Sequence, residues 1–139
     1  MLYAFPIPVV RAILEDSEGR ILLLRRRGKV EAKSWCLPGG KVEYGQTVEQ
    51  AVKEEVKEET GLDVKDVAFL FYQERLPRRK GVMHCIHFYF SANHSGTLNL
   101  NEESYAACWM HSSEFGDYPI AFGNDEAVRR YLSEKENHR

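Results

Sequence analysis

The segment VKEEVKEETGL carries glutamates at positions 54, 55, 58 and 59, and a Gly39-Gly40 pair precedes it. Carboxylates three and four residues apart meet across one turn of a helix. Hard oxygen donors grouped in this way suit Mg2+ or Mn2+. The glycine pair lets the backbone turn tightly and bring its amides or carbonyls against a ligand with no Cβ in the way. Two such features in succession describe a cation held beside a tight turn.

Thr47 followed by Gln50 forms a capping box, and Gly61 supplies a C-terminal stop, so the sequence predicts a helix from Val48 to Thr60. At about 100° per residue, Val48, Ala51, Val52 and Val56 share one stripe, with Lys53 and Lys57 opposite. Glu55 and Glu59 fall inside the apolar stripe, and Glu58 and then Glu54 lie at its edge. A solvated helix with Glu and Lys paired at i, i+4 is the plainer alternative. The phase argues against it, because two inward carboxylates one turn apart repel each other and lose water unless a positive charge sits between them.

Around this helix the chain alternates short apolar runs with turns. Ile7 to Leu14 and Ile21 to Leu24 flank EDSEGR and predict a hairpin, after which RRRGKVEAKS reads as a polar loop. Trp35, Leu37 and Pro38 anchor a short strand ahead of the glycines. Residues 66–74 and 82–90 predict a second hairpin across RLPRRKG, AACWM a further short strand, and NDEAVRRYLSEK a last helix with EKENHR fraying behind it. The expectation is one domain, residues 1–139, with a layered α/β or α+β arrangement around a sheet of several strands.

Composition narrows the function classes. With 19 basic and 21 acidic residues and a formal charge of −2, the chain has no broad positive field for extended nucleic acid. Cys36, Cys85 and Cys108 are odd in number and widely spaced, which fits neither a disulfide framework nor a zinc site and points to a reducing cytoplasm. The opening MLYAFPIPVV lacks an early basic region, holds two prolines and is broken by Arg11, so it makes a poor signal peptide and is too short to span a membrane.

Gly40 to Leu62, GKVEYGQTVEQAVKEEVKEETGL, resembles the signature box of the Nudix hydrolase (MutT-like) family. Gly40, Glu55, Val56, Glu58, Glu59, Gly61 and Leu62 match in register, and WCLPGG ahead of them is also what such proteins often carry. Two positions depart: Gln46 stands where the family has its first glutamate, and Glu54 where it has arginine. The family arginine helps hold a catalytic carboxylate, so its loss leaves Glu55 less firmly oriented. The two departures compensate if the Gln46 amide donates to the Glu54 carboxylate.

The resemblance implies an α/β fold, an α/β/α sandwich around a mixed β-sheet. It also implies a hydrolase that cleaves the pyrophosphate linkage of a nucleoside diphosphate joined to another moiety, by water attack on phosphorus. Mg2+ (or Mn2+) is the implied cofactor, with Glu55, Glu58, Glu59, Gly39 and Glu103 on the metal side. Glu55 and Glu58 are the candidate bases, with Glu103 behind them, and Gly40, Arg26 and Arg27 are assigned to substrate. The implied partner is a small nucleotide, with no extended nucleic acid and no membrane; a homodimer is compatible. A domain that senses a nucleotide without cleaving it is the alternative that Gln46 and Glu54 motivate.

The remaining candidates have ordinary readings beside functional ones. Glu102 and Glu103 precede a strand where the family often draws an extra ligand, though loop glutamates are commonly just solvated. Arg25, Arg26 and Arg27 end a strand and could meet phosphates. Pro77 lies where ADP-ribose-cleaving members tend to carry proline, and a hairpin turn also accounts for it. His84 and His87, three apart in a strand, point to opposite faces and do not form a two-ligand site; His84 reads as near-core. Tyr72, Phe88, Tyr89 and Phe90 suit core packing as well as base stacking.

Overall fold

Short apolar runs, continuous in the strands buried on both faces, produce seven strands beside two helices in the computed structural model, which describes residues 5–27, 33–77 and 83–137. In chain order these are β1 (Ile7–Ile13), β2 (Ile21–Arg26), β3 (Trp35–Cys36), β4 (Gly39–Lys41), α1 (Val48–Thr60), β5 (Asp63–Arg75), β6 (Cys85–Ser95), β7 (Ser104–Met110) and α2 (Asn124–Asn137). Two 3-10 turns, 112–117 and 121–123, join β7 to α2. One sheet has the order β4-β1-β6-β5 and the other β3-β2-β7. The first is mixed, because β1 runs parallel to β6 and antiparallel to β4.

Successive side chains of a strand point to opposite faces, so β1 and β2 each supply two cores. Val10, Ala12, Leu14, Leu22, Leu24 and Phe90 pack against Ala51, Val52 and Val56 of α1. Ile13, Ile21, Leu23, Phe71 and Tyr89 face the other way and pack against Ala127 and Val128 of α2. The helices thus cover opposite sides of the strands, as an α/β/α sandwich requires. Burying Val52 and Val56 contributes roughly 1.5–3 kcal/mol each, and this fixes the rotation of α1.

The helix limits agree with the sequence to the residue. Thr47 Oγ1 accepts from the Gln50 N–H at 3.1 Å, Gln50 Oε1 accepts from the Thr47 N–H at 2.9 Å, and Gly61 closes the end at φ 77° with its N–H on the Lys57 carbonyl. Elsewhere the structure differs. The 7–14 and 21–24 runs do not continue as a paired hairpin: they meet at the turn, through the Glu15–Ile21 bridge and the Leu22 N–H on the Leu14 carbonyl at 3.1 Å, and then enter different sheets. Both edges of β1 are already taken, by β4 and β6. The 66–74 and 82–90 strands do pair antiparallel, but run longer, over 63–75 and 85–95, with two register shifts in β5. The predicted fraying from Glu134 is absent through Asn137, where α2 continues. Most of the polar loop after Arg27 and the turn after Pro77 lie outside the described residues.

Candidate active site

The carboxylates are placed by two constraints, the buried stripe of α1 and the close passage of β4 beneath it. Gly39 lies opposite Arg11 and Gly40 opposite Val10 in the β1–β4 pair. A Cβ on Gly39 would sit 1.9 Å from the Val10 carbonyl oxygen, and one on Gly40 would sit 2.6 Å from Glu55 Oε2. At Gly39 the obstacle is backbone, so only glycine allows the approach, and at Gly40 the missing Cβ leaves the Glu55 carboxylate its place. The Gly39 N–H donates to Glu59 Oε1 at 2.7 Å, so the turn holds one carboxylate and makes room for the other.

Burial and charge then set the chemistry. Glu59 is buried, and Glu55 is half-buried. Burial pushes the Glu59 carboxyl up to about 8, with Glu55 and Glu103 adding to the rise and Arg11 and the Gly39 N–H opposing it. Burial likewise pushes Glu55 up to about 7, helped by Glu58, Glu103 and Glu43 and opposed by Arg11. Glu55, Glu58, Glu59 and Glu103 therefore lie within one electrostatic neighbourhood. Among the described residues, no three His, Cys, Asp or Glu side chains converge on one point closely enough to hold a metal ion. The donor set still fits a hard divalent cation: it is all carboxylate, and it is short of positive charge.

Glu103 reaches this neighbourhood because the segment before β7 is tied to the end of α1. The Asn99 N–H donates to the Thr60 carbonyl at 2.7 Å, the Asn101 N–H to the Glu59 carbonyl at 3.4 Å, and Asn101 Oδ1 accepts the Glu103 N–H at 3.0 Å. Glu58, Glu102 and Glu103 are exposed. The two departures from the box are in contact: Gln46 Nε2 donates to Glu54 Oε2, while Gln46 Oε1 accepts the Glu43 N–H at 2.8 Å. Glu54 is thereby engaged with the loop ahead of α1.

The arginines separate. Arg26 lies over the Phe122 ring, 4.9 Å from its centroid, with Nη1 3.9 Å from Cys36 Sγ. The Arg27 N–H donates to the Glu103 carbonyl at 3.1 Å, which links the end of β2 to the start of β7. Arg25 is exposed, with Nε on the Lys33 carbonyl at 3.3 Å. Pro77 is exposed at the limit of the described residues. His84 is half-buried just before β6, outside the strand in which the sequence placed it, and His87 is buried within β6. Cys36 is buried and Cys85 and Cys108 half-buried, all free thiols. Tyr89 and Phe90 are core residues, and Tyr72 is 56% exposed.

Sequence reasoning missed three residues here, Arg11, Phe122 and Asn124, and weighed His87 only as a metal ligand. Arg11 is 5% exposed; its Nη1 donates to the Leu37 carbonyl at 2.9 Å, and its guanidinium lies 4.9 Å from the Phe122 centroid. An arginine inside the aliphatic run IPVVRAIL was the available signal, since a buried cation needs partners. Asn124, fully buried at the start of α2, accepts the Leu37 N–H at 2.9 Å and donates to the Tyr89 hydroxyl at 3.2 Å, fixing the strand that leads into the glycine pair.

A family model described as NUDIX domain matches residues 6–131. The chain is 32% identical over 133 residues to the ADP-ribose pyrophosphatase of Methanocaldococcus jannaschii, covering 94% of this chain and 76% of that protein. It is 30% identical over 134 residues to the 8-oxo-dGTP diphosphatase of Haemophilus influenzae, covering 94% and 95%. The crystal structure of a MutT NUDIX hydrolase from Burkholderia pseudomallei is similar with a TM-score of 0.82 at 28% identity, over 90% of this chain and 97% of that one.

Proposed function

The chain belongs to the NUDIX domain family, and on that premise we propose that it hydrolyses the pyrophosphate linkage of a nucleoside diphosphate joined to another moiety, with Mg2+ (or Mn2+) as cofactor. The observation that carries this reading is the pair Glu55 and Glu59. They stand on the buried side of α1 with their carboxyls raised to about 7 and about 8, beside a glycine pair in which a Cβ on Gly39 would overlap the Val10 carbonyl and one on Gly40 would push the Glu55 carboxylate aside. The similar pyrophosphatase and diphosphatase are named for different substrates, and both names describe cleavage at a nucleotide's phosphate chain.

Glu55, Glu58 and Glu59 would hold the cation, with Glu103 and the Gly39 backbone beside them. When bound, the cation supplies positive charge to the pyrophosphate oxygens and acidifies the attacking water. We assign that water's proton to Glu55 rather than Glu58, because Glu55 is half-buried, sits against Gly40 and, with no cation bound, has its carboxyl raised by burial to about 7. The new bond joins the water oxygen to phosphorus, and the bridging P–O bond breaks. Glu59, more deeply buried and anchored by the Gly39 N–H, holds the glycine turn against α1. Arg11 is the positive charge that keeps both carboxylates from rising further, partly making good the arginine absent at position 54.

The Gln46–Glu54 contact favours the hydrolase over a non-cleaving sensor, because it keeps the first loop of the box joined to the helix. Among the described residues no helix is long and apolar enough to cross a membrane, and the cytoplasmic location remains a reading of the cysteine pattern. The test is a hydrolysis screen over nucleoside triphosphates, dinucleoside polyphosphates and ADP-ribose, with and without Mg2+, and with Glu59→Gln as control. Mg2+-dependent product that is lost in the variant is expected. Saturable binding with no product from any substrate would favour the sensor.

A further inference from the structure

β5 is the outermost strand of its sheet: one edge is bonded to β6, and among the described residues no strand pairs with the other. An edge as long as Asp63–Arg75 offers a row of backbone donors and acceptors to any strand that approaches, and proteins blunt such rows with charge, proline or a bulge. β5 has two register shifts, between Lys65 and Ala68 and between Phe69 and Phe71, which interrupt the row. Its side chains do the reverse of blunting. Phe69 is 53% exposed, Tyr72 56%, and Leu76, just past the strand, 63%.

The two rings share one face. Phe69 lies 6.3 Å from Phe88 and 5.6 Å from Phe90, and Tyr72 lies 6.3 Å from Phe88, all ring to ring. This is the side of the sheet that α1 covers, but α1 buries Phe90, leaves Phe88 half-covered, and leaves Phe69 and Tyr72 outside. At about 200 Å2 for each large side chain, Phe69, Tyr72 and Leu76 together show water roughly 340 Å2 of apolar surface. Interfaces are a little over half apolar, so a patch of that size is the core of a contact burying about 600 Å2 on each copy, the lower limit for a stable dimer.

We propose that β5 is a homodimer interface: a second copy of the chain lies antiparallel along this edge about a twofold axis at Phe69, so that the two Phe69 rings meet and each copy covers the Tyr72 and Leu76 of the other. Reversal about Phe69 sets Asp63 of each copy opposite Arg75 of the other, an opposite-charge pair made twice. Within its own copy Asp63 meets Lys57 Nζ at 3.1 Å, an exposed contact worth little. The exposed charges of β5, on Asp63, Lys65, Asp66 and Glu74, are of both signs and offer no match to a partner of one strong charge. The register shifts leave the contact to side chains more than to a continuous ladder, and a twofold pair is closed, so the edge is not passed on to a third chain. The interface uses none of the box carboxylates and stands or falls separately from the hydrolase reading.

The test is sedimentation velocity of the full chain over about 1–100 μM, a range that brackets the affinity of a small interface. The wild type should move from 16.1 kDa towards twice that mass as concentration rises. Phe69→Lys should stay monomeric, its dimer dissociation constant raised at least about tenfold, with an unchanged circular dichroism spectrum. Asp63→Arg and Arg75→Asp should each weaken the dimer, and the two together should restore it, which a merely loosened fold would not do. A wild type that is monomeric throughout, a dimer that survives Phe69→Lys, or a charge reversal without rescue would overturn the proposal. Should Phe69→Lys not fold, Phe69→Cys reports instead: a short bis-maleimide should join two copies of it, and should not join two copies of the wild type, whose thiols are Cys36, Cys85 and Cys108. No joined product from the cysteine variant would equally defeat the interface.

Discussion

Replacing Glu59 by glutamine removes one negative charge from the buried side of α1 while keeping an oxygen for the Gly39 N–H, 2.7 Å away. Burial holds the Glu59 carboxyl at about 8, against an ordinary 4.5. A folded value above the unfolded one means that the fold keeps its proton while the unfolded chain releases it. This contribution to stability is complete below about pH 4.5 and is lost as pH rises to about 8. At a little over ~1 kcal/mol per pH unit, the metal-free protein loses about 3 kcal/mol between pH 5 and pH 8. Glu59→Gln escapes that loss. Glu55 titrates in the same direction, but it is partly solvated and present in both proteins, so it largely cancels in the comparison. Urea unfolding in EDTA at pH 5, 6, 7 and 8 should show a gap that opens steadily in favour of the variant, equivalent to about 10 °C in Tm at pH 8. Added Mg2+ should close the gap by stabilising the wild type alone. Parallel pH profiles for the two proteins would refute the claim that Glu59 is ionised against its surroundings.

Gly39→Ala should fail to fold or lose more than ~3 kcal/mol by urea unfolding, since its Cβ would overlap the Val10 carbonyl at 1.9 Å. Gly40→Ala should stay folded, with Tm little changed, yet lose at least about tenfold in turnover as Glu55 is pushed aside; full activity would remove Glu55 from the reacting centre. Arg11→Met removes the charge that holds both carboxylates down, so the acid limb of the kcat/KM profile should move up by about one pH unit, and an unmoved limb would contradict it. In a double-mutant cycle, Glu54→Arg should lose the Gln46 contact and Gln46→Glu with Glu54→Arg should regain it, with a coupling of about 0.2–1 kcal/mol in unfolding; zero coupling would mean that the two positions do not compensate.

What could be read from the sequence was whatever local geometry dictates. The limits of α1 follow from Thr47, Gln50 and Gly61, and the inward phase of Glu55 and Glu59 follows from the valines beside them. The contact between Gln46 and Glu54 followed from their chemical types and positions in the box. What could not be read was long-range. No pattern within Ile7–Leu24 says that β1 and β2 part into different sheets, because that depends on β6 taking one edge of β1 from far along the chain. Arg11 counts, in the sequence, only as the charge that breaks the apolar opening segment, and its partners, β4, Phe122 and Leu37, are supplied by the fold. Phe122 gives no local signal, since its left-handed backbone and its contacts with Arg11 and Arg26 involve residues far from it in the chain.

The parallel pairing of β1 with β6 has a consequence for how the molecule is made. Once made, β1 must wait roughly eighty residues for β6, its lateral neighbour, a closure that is entropically slow and raises contact order. Until residue 91 has emerged, the run VVRAIL lacks one of its two partners. Assembly of the reacting centre is therefore a late event, and nascent chains truncated before β6 should be sticky, easily cleaved by proteases and unable to bind ligand.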